Sequence, residues 1–539
     1  MMNSKPASTT HYDVAIIGGG ISGMYAIHKL RQLGMTMRAF EAGSDVGGTW
    51  YWNRYPGARF DSESYTYGYS FSDELLDEWE WSEHFAGQPE TLRYLNFVAD
   101  KFDLRKDMQF DTRVVAATFD EENKLWDVEL DDGSHANARF LLSCVGLLSD
   151  PFTPEFEGAK NFKGQSWHTA LWPHEEVDLS GKKVAVIGAG STAVQVITEL
   201  SKVVDKLSVF QRTPNYCAPL GNSPIDEDTQ KWIKANYTEI LQRCKETFGS
   251  FLYDFDPRAA VDVSAEERNA FLEEKWSQPG FGIWLGNFHD MISNRESNDL
   301  ISEFVREKIR LRIDDPEMAR KLVPTTHGFG IKRIPLESGY YESYNRDNVE
   351  LIALTEEPIE CITETGIQTS QKHVDVDVII YATGFDAVTG AYNKIDIRGV
   401  GGQKLTDKWA NGPRTYLGMQ STDFPNMFTV LGPHNGGTFC NIPRCIEQNI
   451  DWVMDAIEYM RDNDFKKISV DPAAEDAWTE HVYELVNATL IPETKTWFSG
   501  DNIEGKPKSF LLYTGGSVSY RKSCDDVAEN GYEGFVLER

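Results

Sequence analysis

Cysteine is scarce in this chain: seven among 539 residues, with no C-x-x-C spacing. A flavin disulfide reductase would need a redox cysteine pair, and the missing C-x-x-C argues against one. The odd count argues against a disulfide scaffold and points to a reducing cytosol. Cys440 and Cys445 are close in sequence, but no histidine or further cysteine completes a metal pattern, so no metal is expected. Long apolar runs are missing, which excludes a membrane span. Met1 to Thr10 lack the apolar core of a signal peptide. The last residues, Val536-Leu537-Glu538-Arg539, match no common peroxisome or ER address, so the expected location is cytoplasmic. Positive charge is in deficit, with 53 Lys and Arg against 84 Asp and Glu and a formal net charge of -31. Neither nucleic acid nor an anionic membrane is expected as a partner. A local pair of cations can still hold a phosphate.

What is present is organised around glycine. Residues 11–17, HYDVAII, have strand character and run into Gly18-Gly19-Gly20-Ile21-Ser22-Gly23 and a helical pattern. A G-x-G-x-x-G turn between strand and helix lets the backbone approach a pyrophosphate, whose charge the helix N-terminus favours. The next strand, Met35 to Phe40, ends in Glu41, placed to hold a ribose 2′-hydroxyl. Gly47 to Asp61 then bring five aromatics and a Pro-Gly turn, which by composition alone read as core. Tyr65, Tyr67, Tyr69 and Phe71 alternate as in a strand. Residues 110–146 read as a meander, with a turn at Asp131-Asp132-Gly133, ending in the buried strand FLLSCVG. Pro151 and Pro154 mark a boundary.

A second unit repeats the pattern. Lys182 to Ile187 form a strand, and Gly188-Ala189-Gly190-Ser191-Thr192-Ala193 is a G-x-G-x-x-A turn opening a helix. Its next strand, Leu207 to Phe210, ends in Gln211-Arg212-Thr213, not in an acid. A carboxylate would repel a 2′-phosphate, whereas Arg212 offers it a bidentate donor. NADPH is therefore expected over NADH. Residues 224–325 have helical spacing, with a capping box at Ser264 to Glu267. The aromatic loop Gly280 to Trp284 suits either a substrate border or core. Residues 376–381 form a strand into Ala382-Thr383-Gly384. Thr429 to Pro433 read as a strand and turn, followed by a helix after Asn441 and Ile442.

Between the two glycine turns lies Phe162-Lys163-Gly164-Gln165-Ser166-Trp167-His168-Thr169-Ala170-Leu171-Trp172-Pro173, the pattern F-x-G-x-x-x-H-x-x-x-W-P. Together with G-G-x-W-x-x-x-x-Y-P-G-x-x-x-D at Gly47 to Asp61, it resembles the type I Baeyer–Villiger monooxygenases of the class B flavin monooxygenase family. The resemblance runs from Tyr12 to about Gly534. RTPNYCAPLGNSP and GPHNGGTFCN look like the branch containing the trimethylcyclopentenylacetyl-CoA monooxygenase. Ala193 departs from the glycine of many members, and small size suffices there for helix–strand packing.

The resemblance implies an α/β fold with two Rossmann-like dinucleotide-binding domains and a helical insertion in the second. Expected segments are 1–148 and 387–539 for FAD, 149–223 and 327–386 for NADP, and 224–326 for the insertion. Gly18, Gly20, Gly23, Glu41, Gly48, Thr49, Trp50, Asp61, Tyr67, Asn441 and Ile442 would meet FAD. Gly188, Gly190, Ser191, Thr192, Ala193, Arg212, Thr213, Lys332, Arg333 and Trp497 would meet NADP(H). The segment IKRIPLESGYYESYNRDNV resembles the one carrying the family's essential arginine, which makes Arg333 catalytic with Asp61 orienting it. The implied reaction inserts one oxygen atom of O2 beside a ketone carbonyl, giving an ester or lactone, through a C4a-peroxyflavin stabilised by Arg333. Phe162, Gly164, His168, Trp172 and Pro173 would couple the domains without being catalytic. The expected partner is a small-molecule ketone, and the protein a monomer or homodimer. An N- or S-oxygenating flavin monooxygenase shares both nucleotide sites, but Trp172-Pro173 argues against it. A non-catalytic nucleotide-binding protein would bind cofactor without consuming NADPH.

Overall fold

Each glycine turn leaves the end of a buried parallel strand. The computed structural model describes residues 10–435 and 439–539. In the first, eight-stranded sheet, Thr10–Ile17 lies between Met37–Phe40 and His135–Ser143 and runs parallel to both. Val14 to Ile17 are buried on both faces, which is why that stretch is continuously apolar instead of alternating. Val114–Asp120, Leu125–Leu130 and His135–Ser143 form the expected antiparallel meander. The chain returns to this sheet near its end. Asp396–Arg398 adds beside Val114–Asp120, and Met427–Thr429 adds beside His135–Ser143, both parallel.

The second sheet has five strands in the order Val349–Ala353, Lys206–Gln211, Lys183–Ile187, Val378–Tyr381, Gln165–His168. All are parallel. The connector is therefore the edge strand of this sheet. The helical stretch leaves between two neighbouring strands and includes Glu227–Ala235, Tyr237–Glu246, Ala265–Ser277, Arg295–Arg310 and Pro316–Leu322. Ser264 caps the third of these by accepting from the Glu267 amide at 3.2 Å. The Glu267 carboxylate turns instead to Arg258 at 2.7 Å, so only half of the expected capping box forms.

Two expectations need correction. Tyr65 to Phe71 do not form a strand: Ser64–Tyr67 is one helical turn, with the Thr66 and Tyr67 amides both bonded to the Glu63 carbonyl. The Ser64 hydroxyl spans from the Glu83 carbonyl to the Ala86 amide, and this tertiary anchoring overrides aromatic strand preference. Cys440 and Cys445 are paired as a disulfide at the start of the helix Ile442–Asp462; the other five cysteines are free.

The two places where the chain crosses between sheets lie side by side. The Phe152 amide donates to the Gly384 carbonyl at 2.9 Å, Asp386 to Asp150 at 2.9 Å, and Val388 to Leu147 at 2.7 Å. His168 locks this double crossing. Its Nε2 meets the Gly384 carbonyl at 3.0 Å, and its Nδ1 accepts from the Ala170 amide at 3.1 Å. These partners fix a neutral tautomer, and burial pushes the imidazole down to about 4. Gly164 sits where a Cβ would lie 2.2 Å from the Asp377 carbonyl, Phe162 packs against a buried cluster on the second sheet that includes Ala185, Phe210 and Ile379, and buried Trp172 meets Trp167 at 5.4 Å; Pro173 ends the connector half-buried. A histidine pKa depressed below its unfolded value of about 6.5 contributes stability that is complete above that value and lost as pH falls towards the folded pKa. The stability gap between the parent and His168→Gln, measured by denaturant unfolding, should therefore be widest at neutral pH and narrow as pH falls from about 6.5 to about 4. A gap independent of pH would contradict the buried neutral histidine.

Candidate active site

In the first turn Gly18 has φ +109°, and a Cβ there would lie 2.6 Å from the Cys144 carbonyl. A Cβ at Gly23 would lie 2.0 Å from the Gly18 carbonyl, so strand, turn and helix touch through bare backbone. Glu41 is buried and accepts from the Gly19 and Gly43 amides, each at 2.7 Å, one per carboxylate oxygen. Each oxygen keeps a further lone pair, as a ribose diol requires. Gly20 packs against Gly48 backbone to backbone, which brings the G-G-x-W segment onto this turn. Thr49 is exposed at the start of the helical turn Thr49–Trp52. Trp50 is buried and donates from Nε1 to the Tyr67 hydroxyl at 3.1 Å. The residues present fit an FAD on this turn.

The second turn is built alike. A Cβ on Gly188 would lie 2.2 Å from the Ala382 carbonyl, whereas one on Gly190 would meet nothing within 4 Å. The turn is thus open at Gly190, just before the helix Ser191–Leu200, with half-buried Ser191 and Thr192 at its first positions and Ala193 fully buried. Arg212 is exposed and Lys332 half-buried beside it, with Thr213 adjacent. Burial and the nearby Arg212 charge push the Lys332 ammonium below its ordinary range. Among the described residues neither cation pairs with a carboxylate. Two unpaired neighbouring cations in a protein of net charge -31 fit a phosphate group such as a dinucleotide's 2′-phosphate.

The two units dock through the Tyr-Pro-Gly turn. The Tyr55 hydroxyl donates to Gln195 Oε1 at 2.7 Å, and Gln195 Nε2 donates back to the Arg59 carbonyl at 3.0 Å. Gln195 lies on the helix of the second glycine turn. Two residues beyond Arg59, buried Asp61 meets Arg333, Oδ2 to Nη2, at 3.1 Å. Burial pushes the Asp61 carboxyl up, with Arg333 and the Leu336 amide working against the shift. Burial pushes Arg333 down, with Asp61 opposing. Arginine stays charged regardless. The guanidinium face rests 4.6 Å from the Phe281 ring centroid and 5.6 Å from that of Trp284. Of the two readings of the aromatic loop, the structure gives buried aromatics packed against this arginine.

Asn441 is fully buried and donates to the Thr66 hydroxyl at 3.0 Å, while its Oδ1 has no partner. It stands at the N-terminus of the helix Ile442–Asp462, with Ile442 half-buried beside it. Trp497 is half-buried and packs edge-on against Phe498 at 4.9 Å. Its loop is tied to the chain crossing, since Asn502 donates to the Phe385 carbonyl at 3.1 Å and Lys506 pairs with Asp386. Gln195 leaves no signal in the sequence, because a glutamine on a helix face carries no pattern. The sequence also leaves Phe281 and Trp284 undecided, because nothing local says which charge an aromatic will face.

Residues 11–218 match the flavin-binding monooxygenase-like family. The 2-oxo-Δ3-4,5,5-trimethylcyclopentenylacetyl-CoA monooxygenase of Pseudomonas putida is 48% identical over 99% of this chain and 100% of its own length. A Baeyer–Villiger monooxygenase of Pseudooceanicola batsensis is 42% identical over 98% of this chain and 96% of its own. A crystal structure of OTEMO in complex with FAD and NADP superposes with a TM-score of 0.95 at 48% identity, covering 98% of this chain and 100% of that one. No helix among the described residues is long and apolar enough to cross a membrane, and none of their side chains cluster as a metal site. With both glycine turns, the Asp61–Arg333 pair and near-full-length similarity in agreement, the chain belongs to the Baeyer–Villiger monooxygenase family.

Proposed function

We propose that the protein is an FAD- and NADPH-dependent Baeyer–Villiger monooxygenase, inserting one oxygen atom of O2 beside a ketone carbonyl to give an ester or lactone. The observation that carries this reading is Arg333: a guanidinium held on its edge by Asp61 and on its face by two rings, beside the contact between the two dinucleotide units. The proposed division is an FAD domain of residues 1–148 and 387–539 and an NADP domain of 149–223 and 327–386, with the insertion at 224–326. The sheet pairing supports it, since strands before 148 and after 387 share one sheet. The substrate is a small molecule. The acidic surface supports a protein without nucleic-acid or membrane partners.

Gly18, Gly20, Gly23, Glu41, Gly48, Thr49, Trp50, Tyr67, Asn441 and Ile442 would hold FAD. Gly188, Gly190, Ser191, Thr192, Ala193, Arg212, Thr213, Lys332 and Trp497 would hold NADPH. Bound there, the flavin supplies hydride acceptance and oxygen activation, chemistry that no side chain provides. Arg333 supplies a fixed positive charge where the ketone oxygen gains electron density. A preorganised donor does this without the reorganisation that water would need. Asp61 keeps the guanidinium fork in one orientation, and the Phe281 and Trp284 rings shield its face from water. His168, neutral and doubly bonded, positions the chain crossing and moves no proton.

The reaction is tested by mass spectrometry of products from linear, cyclic and CoA-linked ketones under isotopically labelled O2. An ester or lactone with one labelled oxygen is expected; labelled N- or S-oxides from an amine and sulfide panel, without ester, would favour the rival reaction. Replacing Arg333 with alanine should cost about 3–4 kcal/mol in the oxygenation barrier, two to three decades in rate, while NADPH still bleaches the flavin absorbance. Near-parental ester formation would remove Arg333 from the site. Arg212→Ala should raise the KM for NADPH by about one to two decades and leave that for NADH nearly unchanged. Equal effects on both would show that Arg212 does not read the phosphate.

A further inference from the structure

Two residues past Asp61 on the same segment, Glu63 is buried, 5% exposed, and makes no ion pair among the described residues. Its one side-chain partner is the Tyr253 hydroxyl, which touches Oε1; Oε2 is buried with no partner. That hydroxyl also lies 3.0 Å from the Pro279 carbonyl. A phenol has one proton and so cannot donate to a carboxylate and a carbonyl together. The geometry closes if Glu63 carries a proton: Glu63 donates to the Tyr253 oxygen, and Tyr253 donates to Pro279. A neutral acid also removes the cost of an unpaired buried charge. Burial pushes the Glu63 carboxyl up in the same sense. The titratable groups that face it are Tyr253 and Cys244 from the helical stretch and Tyr65 from its own turn; none is a cation.

The junction sits at the base of the loop that reaches Arg333. Gly280 follows Pro279 with φ +77°, and a Cβ there would lie 2.4 Å from the Tyr253 hydroxyl oxygen and 3.1 Å from Glu63 Oε1. The next residue is Phe281, whose ring lies under the guanidinium, with Trp284 one turn on. Consecutive alternate residues thus reach one arginine by different routes. Asp61 bonds its edge, and Glu63, through Tyr253 and Pro279, holds the loop that meets its face.

We propose that Glu63 is a positioning residue for Arg333, acting as a neutral hydrogen-bond donor that fixes the loop carrying Phe281 and Trp284. This rests on the reading of Arg333 as the residue that supports oxygenation. The test uses the full-length FAD-loaded protein, with cyclohexanone as probe ketone, and reads product formed per NADPH consumed together with amide hydrogen exchange of residues 279–285. Glu63→Leu keeps the volume and deletes the hydrogen bond; Tyr253→Phe keeps the ring and deletes the hydroxyl. Glu63→Leu should lower product per NADPH by roughly fivefold, the loss of one net hydrogen bond, Tyr253→Phe, which loses two, should lower it at least as far, and both should speed exchange in 279–285. Glu63→Gln, a neutral donor of the same shape, should restore both readings to within roughly twofold of the parent. Exchange and coupling unchanged in Glu63→Leu, or in Tyr253→Phe should the leucine variant not fold, would overturn the proposal. So would a glutamine variant as impaired as the leucine one. Arg333→Ala serves as control: if it still makes product, the reading of Arg333 fails, whereas if it does not and Glu63→Leu behaves as parent, the inference about Glu63 alone fails.

Discussion

A carboxylate and a guanidinium meeting at 3.1 Å in a largely dry setting constrain everything around them. Removing either charge leaves the other uncompensated in the interior, which commonly costs about 3–5 kcal/mol. The pair is therefore stable only if the segments bearing it are held in register. Asp61 is held because its segment is bonded to the helix of the second glycine turn through Tyr55 and Gln195. Arg333 is held by Asp61, by two aromatic rings and by a backbone whose carbonyl accepts from Asn215 at 2.9 Å. The helical stretch, which looks like an appendage in sequence, supplies Phe281, Trp284 and Tyr253 to this one point.

The same pair explains why the two dinucleotide units cannot be independent. On the proposed division Asp61 comes from the first and Arg333 from the second, so the charge arrangement would exist only when the units are docked. The chain crosses between them twice, at residues 147–152 and 384–388, and the crossings are bonded to each other. His168, on the edge strand of the second sheet, clamps the return crossing at Gly384. The loop that follows Trp497 joins the same crossing through Asn502 and Lys506. Movement of that crossing would reach both the connector and the loop.

Much of this was legible in the sequence because it rests on local rules. Glycine turns, the acid or arginine ending the next strand, and apolar parallel strands each follow from backbone sterics, charge and burial. What was not legible depends on long-range contact. Tyr65 to Phe71 look like a strand, yet Ser64 is pinned between Glu83 and Ala86, and the backbone turns helical. Met427–Thr429 starts earlier than its apolar pattern suggests, because pairing with Leu141 to Ser143 sets its register. Glu63 and Tyr253, 190 residues apart, carry no shared signal at all. The Asp61–Arg333 contact was expected only through resemblance, since spacing cannot bring together residues so far apart.

The measurement that bears most directly on this account is a double-mutant cycle at the pair. Asp61→Asn, Arg333→Ala and the double variant would be compared for the rate of ester formation, each with flavin content checked. If Asp61 acts by holding Arg333, the double variant should be no slower than the slower single variant, because the aspartate has nothing left to orient. Losses that multiply would mean that the two residues act independently, and the central role given to their ion pair would be wrong.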